Sequence, residues 1–383
     1  MRNAILFCLM ICILTGCKNY PNIGSNKADD YNDLLTPIAN KTESKRPKNI
    51  ILMIGDGMGL TQITAGMYAN QNKLNLEEFK SIGLHKSYAY DNLITDSAAG
   101  ATAFASGVKT YNGAIGVDPD TVAVKTILEE AEEYGLATGL VATSSIVHAT
   151  PASFIAHAKK RKMYEKIALD FLKTEIDFFV GGGKKYFDAR EDGRDLLQEL
   201  KSMGYIVNTY FDKDFRTITP ISSKNFAYLT ANAEPLPQRQ GRSYLTSAVK
   251  KAPDFLKEHS DKGFFLMIEG SQIDWGGHAN DSDYIITEMI EFDKAIGEIL
   301  DFAKKDGETL VIVTADHETG GFAINPGSTM DKIEPGFTSD YHTGVMIPVF
   351  AYGPGAEQFR GIYENTAIYG KMRAAFGFHQ SSN

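Results

Sequence analysis

The sequence predicts an α/β fold with a largely parallel central sheet and helices on both faces. Three observations carry that prediction. Continuous apolar runs of strand length recur, among them "NIILMIG", "FFLMI" and "LVIV". They lack polar alternation, as expected of strands buried on both faces. Stretches with apolar residues at helical spacing separate these runs. An acidic residue also stands at the C-terminal end of three of them: Asp56, Glu269 and Asp316. In open α/β sheets that edge is where ligands bind.

Taken in order, "NIILMIG" is read as the first buried strand. "VKTILEEAEEYG" has helical spacing and stops at Gly135, a helix-ending glycine. "LATGLVAT" follows as a strand and "RKMYEKIALDFLK" as a helix. "GFFLMIEG" is a strand, Asp283 to Lys305 a long helix, and "ETLVIVTAD" a strand. "VMIPVFAYG" is a late strand and "ENTAIYGKMRAAF" the closing helix. The stretch Lys184 to Arg242 is less regular and is expected to form a peripheral lobe. There is no internal repeat and no second linker.

The 383 residues, 43% hydrophobic and 11% aromatic, suffice for a large core. A formal net charge of −9 without a long basic stripe argues against a nucleic-acid partner. The first seventeen residues, "MRNAILFCLMICILTGC", carry one positive charge and an apolar run too short to span a bilayer as a helix. They read as an export signal. The ending Leu14-Thr15-Gly16-Cys17 resembles a bacterial lipobox, in which Cys17 would be lipidated; an ordinary cleaved signal is the alternative. The expected organisation is a signal segment 1–17, a polar tether or ordered arm 18–47, and a catalytic domain 48–383. All three cysteines, Cys8, Cys12 and Cys17, lie in the signal, so the domain has no intrachain disulfide and depends on its core or on bound metal.

"IEGSQIDWGGH" sets Asp274 and His278 four residues apart, "TADHETGG" sets Asp316 beside His317, and "YHTG" adds His342. Mixed imidazole and carboxylate donors suit zinc. One such acidic residue could be a cap or a turn residue; three on one sheet edge, two of them in motifs that also carry a histidine, point to a site. His85, His157, His259 and His379 lack such company and are read as structural or surface residues. "TDSAAGATAFASG" places Ser97 ahead of a run of tiny residues, with no histidine near it in the sequence. The run fits a tight turn into a helix whose N-terminus would offer amide groups to an anion, or simply a helix packed too closely for larger side chains.

These motifs, with "IGDGMG" and "HATPASFIAHAKKRK", resemble the bacterial-type alkaline phosphatases over about Lys48 to Gly377. The resemblance implies an alkaline-phosphatase-like fold and metal-dependent hydrolysis of phosphate monoesters through a phosphoserine on Ser97. It implies two zinc ions and one magnesium ion per chain. Asp274, His278 and His342 match the ligands of one zinc, and Asp56, Asp316 and His317 those of the other. Asp56, Thr150 and Glu269 match the magnesium site, and Arg161 the phosphate-binding arginine. Metal, rather than a histidine base, would then activate Ser97. Small phosphomonoesters are the expected partners, a homodimer the expected assembly, and the outer side of a bacterial membrane, reached only through the lipid, the expected location.

Three departures stand out. His148 occupies a position where many relatives have aspartate, and is expected to neighbour the third metal, through a water or by admitting another ion. Trp275 replaces a basic residue and is expected to line the pocket; the alternative is a core tryptophan pointing away. The short segment between His317 and His342 implies a reduced or absent crown insertion. A sulfatase or phosphodiesterase of the same superfamily, and a surface lipoprotein that keeps the fold without catalysis, are the competing readings. "DSAAGA" lacks the Pro and Arg of a sulfatase setting, and no predicted ligand is missing.

Overall fold

The structure, a computed structural model, describes residues 46–378. The three cysteines, the lipobox, the tether and His379 lie outside the described residues. The strands are β1 (Asn49–Gly55), β2 (Ser81–Lys86), β3 (Ala137–Ser145), β4 (Phe178–Gly182), β5 (Ile206–Thr209), β6 (Phe226–Leu229), β7 (Phe264–Gly270), β8 (Thr309–Thr314), the two-residue β9 (Glu318–Thr319), β10 (Ala323–Ile324), β11 (Pro335–Gly336) and β12 (His342–Thr343), then β13 (Ile347–Tyr352) and β14 (Gly361–Glu364). The helices are α1 (Leu60–Ala69), α2 (Ser97–Ser106), α3 (Ile127–Glu133), α4 (Ala149–Ile155), α5 (Tyr164–Asp170), α6 (Lys185–Asp188), α7 (Leu196–Ser202), α8 (Leu245–His259), α9 (Gln272–His278), α10 (Ser282–Asp306) and α11 (Ala367–Phe376).

Ten strands form one sheet in the order β14-β2-β13-β8-β1-β7-β3-β4-β6-β5. Every pairing is parallel except those of β13, which runs against both neighbours. The fold is therefore the largely parallel α/β sheet that the alternating runs predict. β1, β3, β7 and β8 are buried at every position, which is why their sequences show no alternation. The pleat divides β1 between two cores: Ile50, Leu52 and Ile54 face α2, α3, α4 and α11, while Ile51 and Met53 face α1, α8 and α10. Each fully buried aliphatic side chain contributes about 2 kcal/mol through the water it sheds.

The expected peripheral lobe is instead the end of the sheet. β6 pairs with β4, and β5 with β6. Buried Arg242, bonded to Glu288 and Glu291 of α10, ties the end of this stretch to the body of the domain.

Register positions the chemistry. Ile54 of β1 lies level with Glu269 of β7 and with Thr314 of β8. Asp56, Glu269 and Asp316 therefore emerge from three adjacent strands at one height along the sheet edge. Antiparallel pairing of His342 with Thr319 in the β9–β12 ribbon carries His342 back to the same edge.

Candidate functional site

Ser97 opens α2. Asp96 caps the helix in extended backbone, and its Oδ1 accepts from the Ala99 amide at 3.0 Å. All ten residues of α2 are buried. A Cβ added at Gly100 would stand 3.0 Å from the Asp316 Cβ. The run of tiny residues thus lets a whole helix lie against the acidic end of β8, and the close-packing and anion-facing readings of that run describe one arrangement.

Ser97 Oγ lies 3.4 Å from His317 Nε2, so a histidine far away in sequence does stand beside it. That same nitrogen is 3.3 Å from Asp316 Oδ2 and 3.5 Å from Asp56 Oδ1. In a serine–histidine–aspartate relay the carboxylate would hold the other ring nitrogen. Here Nδ1 instead meets Thr319 Oγ1 at 3.2 Å. Three oxygens and one nitrogen facing a common point are the donor set of a cation.

Two groups of side chains bring ligand atoms close enough to share an ion: Asp56, Asp316 and His317, and Asp274, His317 and His342. His278 belongs with the second, its Nε2 lying 3.2 Å from His342 Nε2 and 3.4 Å from Asp274 Oδ1. His342 Nε2 is 3.5 Å from the same carboxylate oxygen. Backbone carbonyls aim both rings: His278 Nδ1 donates to Asp340 at 2.6 Å, and His342 Nδ1 to Thr95 at 2.7 Å. Each Nε2 is thereby left as a lone-pair donor toward the cluster.

The polar atoms that fail to pair mark where cations fit. Both oxygens of Asp56, Oδ2 of Asp316, Oε1 of Glu269, Oγ1 of Thr150 and Nδ1 of His148 are buried without a hydrogen bond. Such groups are costly unless something else satisfies them. Burial, then repulsion by Asp316, Asp274 and Glu269, pushes the Asp56 carboxyl well above its usual range. Burial, then Asp274 and Glu269, pushes Asp316 up to about 7, and burial lifts Glu269 to about 7. Burial holds His317 well below its usual value, and burial lowers His342, so both rings are neutral donors. The donor set fits metal: oxygens from Glu269 and Thr150, and mixed nitrogen and oxygen around the histidines.

Arg161 reaches the site through Asp96. Its Nη1 donates to Asp96 Oδ2 at 2.9 Å, and Nη2 lies 3.4 Å from His148 Nε2. Burial, followed by the Arg161 charge, pulls His148 down to about 3. Trp275, on α9 beside Asp274, is half-buried, its ring edge-to-face with His148 at 6.1 Å between centroids. The structure therefore places Asp56, Ser97, Asp274, His278, Asp316, His317 and His342 around one sheet edge, with Arg161, His148 and Trp275 linked to it through Asp96 and Asp274, and Thr150 two residues beyond His148 on α4.

Three contributors escaped the sequence reading. Asp96 both caps α2 and orients Arg161; an aspartate directly before the serine was the available signal. Thr319 donates to Asp274 Oδ1 while touching His317. Glu318 accepts from Gln62, Thr343 and the amides of Gly321 and Phe322, bracing the ribbon that carries His342. Gly57, at φ +76°, is the close approach that makes this possible: a Cβ there would meet the Asp274 Cα at 2.6 Å. His85, His157 and His259 have structural partners, namely the Ala315 carbonyl, Glu129, and Asp177.

The sequence profile described as Alkaline phosphatase matches residues 47–335. Alkaline phosphatase 4 of Bacillus subtilis (strain 168) is 35% identical, over 86% of this chain and 88% of that protein. The alkaline phosphatase of Escherichia coli (strain K12) is 33% identical, over 90% and 89%. The solved structure of alkaline phosphatase from the Antarctic bacterium TAB5 superposes with a TM-score of 0.82 at 48% identity, over 88% of this chain and 99% of that one. Two further structures of the TAB5 protein, with one histidine changed to aspartate or to glutamate, have magnesium bound in its M3 site.

Proposed function

Because the chain belongs to the alkaline phosphatase family and hydrolyses phosphate monoesters, we propose that Ser97 is its nucleophile and that the clustered donors hold two zinc ions and one magnesium ion. Asp274, His278 and His342 form one zinc site, and Asp56, Asp316 and His317 the other. Asp56, Thr150 and Glu269 form the magnesium site, with His148 as its neighbour. The observation that carries the reading is the shared focus of Ser97 Oγ, His317 Nε2 and the Asp56 and Asp316 carboxylates. When bound, the metals supply positive charge that favours the serine alkoxide and steadies the entering and leaving oxygens.

The chain's own residues do the rest. Ser97 Oγ bonds to phosphorus as the ester oxygen departs with a proton, leaving a phosphoserine; water then adds to phosphorus, and inorganic phosphate and the free serine result. Arg161 presents its planar fork to two non-bridging oxygens, and Asp96 fixes the angle of that fork. Amides in the first turn of α2 face the same phosphate. Assay of p-nitrophenyl phosphate with and without a chelator, paired with metal analysis, tests the proposal; equal activity in a metal-free chain would refute it. Lipidation of Cys17, export and a homodimer complete the proposal. They rest on Leu14-Thr15-Gly16-Cys17 and on the family resemblance. Among the described residues no helix is long and apolar enough to cross a membrane.

Two predictions concern the departures. His148→Asp is expected to raise magnesium affinity by about tenfold or more, since it adds an oxygen donor beside Thr150 and Glu269. A TAB5 protein with one histidine changed to aspartate has magnesium bound in its M3 site, as an added carboxylate oxygen would allow. Magnesium titration of a folded variant showing unchanged affinity would remove His148 from the third site. Trp275, the sole tryptophan, touches His148, which touches Arg161. Inorganic phosphate should therefore change its emission with the midpoint at which phosphate inhibits. Flat emission through inhibitory phosphate would place the indole outside the pocket.

A further inference from the structure

Four consecutive basic residues, Lys159, Lys160, Arg161 and Lys162, line one cleft of about 530 Å³ that also contains Asp96 and Tyr111. Consecutive residues in a strand point alternately to opposite faces, and on a helix they spread around the axis. Here they sit in a turn between α4 and α5, where no regular element separates them. The wall is pre-formed. Ile115 and Ala158 exchange backbone hydrogen bonds of 2.9 and 2.8 Å, the Arg161 amide donates to the Gly113 carbonyl at 2.7 Å, and the Tyr111 hydroxyl donates to the Lys159 carbonyl at 3.0 Å.

The cleft is predominantly basic: among its lining residues only Asp96 is acidic, and Arg161 pairs with it. Lys159, Lys160 and Lys162 are exposed, and among the described residues no ion pair involves them, while Arg161 spends its charge on Asp96. Asp118, in the neighbouring loop, accepts from the amides of Asp120 and Val122. A chain of net charge −9 thus keeps, beside Arg161, three ammonium groups that make no ion pair among the described residues.

We propose that this cleft is a subsite for a second anionic group, a carboxylate or a further phosphate, on the alcohol portion of the substrate. The inference rests on the phosphomonoesterase reading and adds a substrate class to it. A phosphate held at Arg161 leaves the remainder of the ester within reach of the flexible lysine stems, and their charge raises the local concentration of anionic esters. The gain lies in capture rather than in the bond-breaking step, so it belongs in KM.

The test compares 6-phosphogluconate with glucose 6-phosphate, by phosphate release, in the metal-loaded enzyme and in the Lys159→Gln/Lys160→Gln/Lys162→Gln variant. The native enzyme should prefer 6-phosphogluconate by about tenfold in kcat/KM, through KM, the preference shrinking as salt rises. The variant should lose that preference while keeping native turnover of glucose 6-phosphate and of p-nitrophenyl phosphate. No preference in the native enzyme, a preference that survives the substitutions, or an equal loss on both sugars overturns the subsite while leaving the phosphatase reading intact. A native enzyme that releases phosphate from none of the three esters overturns both.

Discussion

Ser97→Ala is expected to lower turnover of p-nitrophenyl phosphate by at least about a thousandfold, with the fold retained, since loss of a nucleophile typically costs several orders of magnitude. The substitution is mild for the structure. Asp96 still caps α2 through the Ala99 amide, alanine is the best helix former, and among the described residues the only hydrogen-bond-range partner of the hydroxyl is His317 at 3.4 Å. Loss of one such contact changes stability by about 1 kcal/mol or less. What disappears is the atom proposed to bond to phosphorus. Residual turnover is expected from water attacking an ester still oriented by Arg161 and the α2 amides. Two measurements check this: the rate, and trapping of labelled phosphoprotein in acid, which should occur with the native chain and fail with the variant. Near-native turnover would show that Ser97 is not the nucleophile.

The parts of the fold legible in the sequence are those where one physical signal dominates. β1, β3, β7 and β8 are buried on both faces, so their composition announces them, and α10 shows its apolar stripe over 25 residues between Asp281 and Gly307. Elsewhere tertiary context overrides the local signal. α8 contains Pro253 in its interior, which ordinarily argues against a helix; burial of Leu245, Val249, Phe255 and Leu256 holds it together regardless. β5 and β6 are four residues each; β6 becomes a strand because β4 offers it an edge, and β5 because β6 does. β4 ends in two glycines that resemble a turn more than a strand.

The site divides in the same way. Asp56, Ser97, Asp316 and His317 sit in motifs whose chemistry shows locally. The pairing of Arg161 with Asp96 spans 65 residues, and that of Thr319 with Asp274 spans 45. No periodicity or spacing contains such pairs, because the sheet order and the β9–β12 ribbon create them. The histidine that the sequence does not show near Ser97 is supplied by a strand end 220 positions away, and its geometry is that of a ligand rather than a base.

Acidification is expected to abolish activity by releasing metal, and the groups responsible are carboxyls more than imidazoles. On ordinary values the histidines would compete with protons near pH 6.5. In the folded chain, however, burial holds His317 and His342 below that range, so they stay available as donors while the pH falls. The carboxyls behave oppositely. Burial and mutual repulsion push Asp316 up to about 7, burial pushes Glu269 to about 7, and Asp56 is raised as well. A raised carboxyl pKa means that the ion-free site takes up protons as pH drops through about 7, and a bound cation must displace them. Metal affinity therefore weakens with falling pH, with more than one proton taken up as metal leaves. Dialysis at stepped pH from 8 to 5, with metal content and activity measured on the same samples, should show both falling together and both returning when metal is restored at pH 8. The steepness should exceed the tenfold per pH unit of a single proton, because at least two carboxyls share the load. Full metal occupancy alongside lost activity at low pH would assign the acid limb to a catalytic proton instead and would overturn this account.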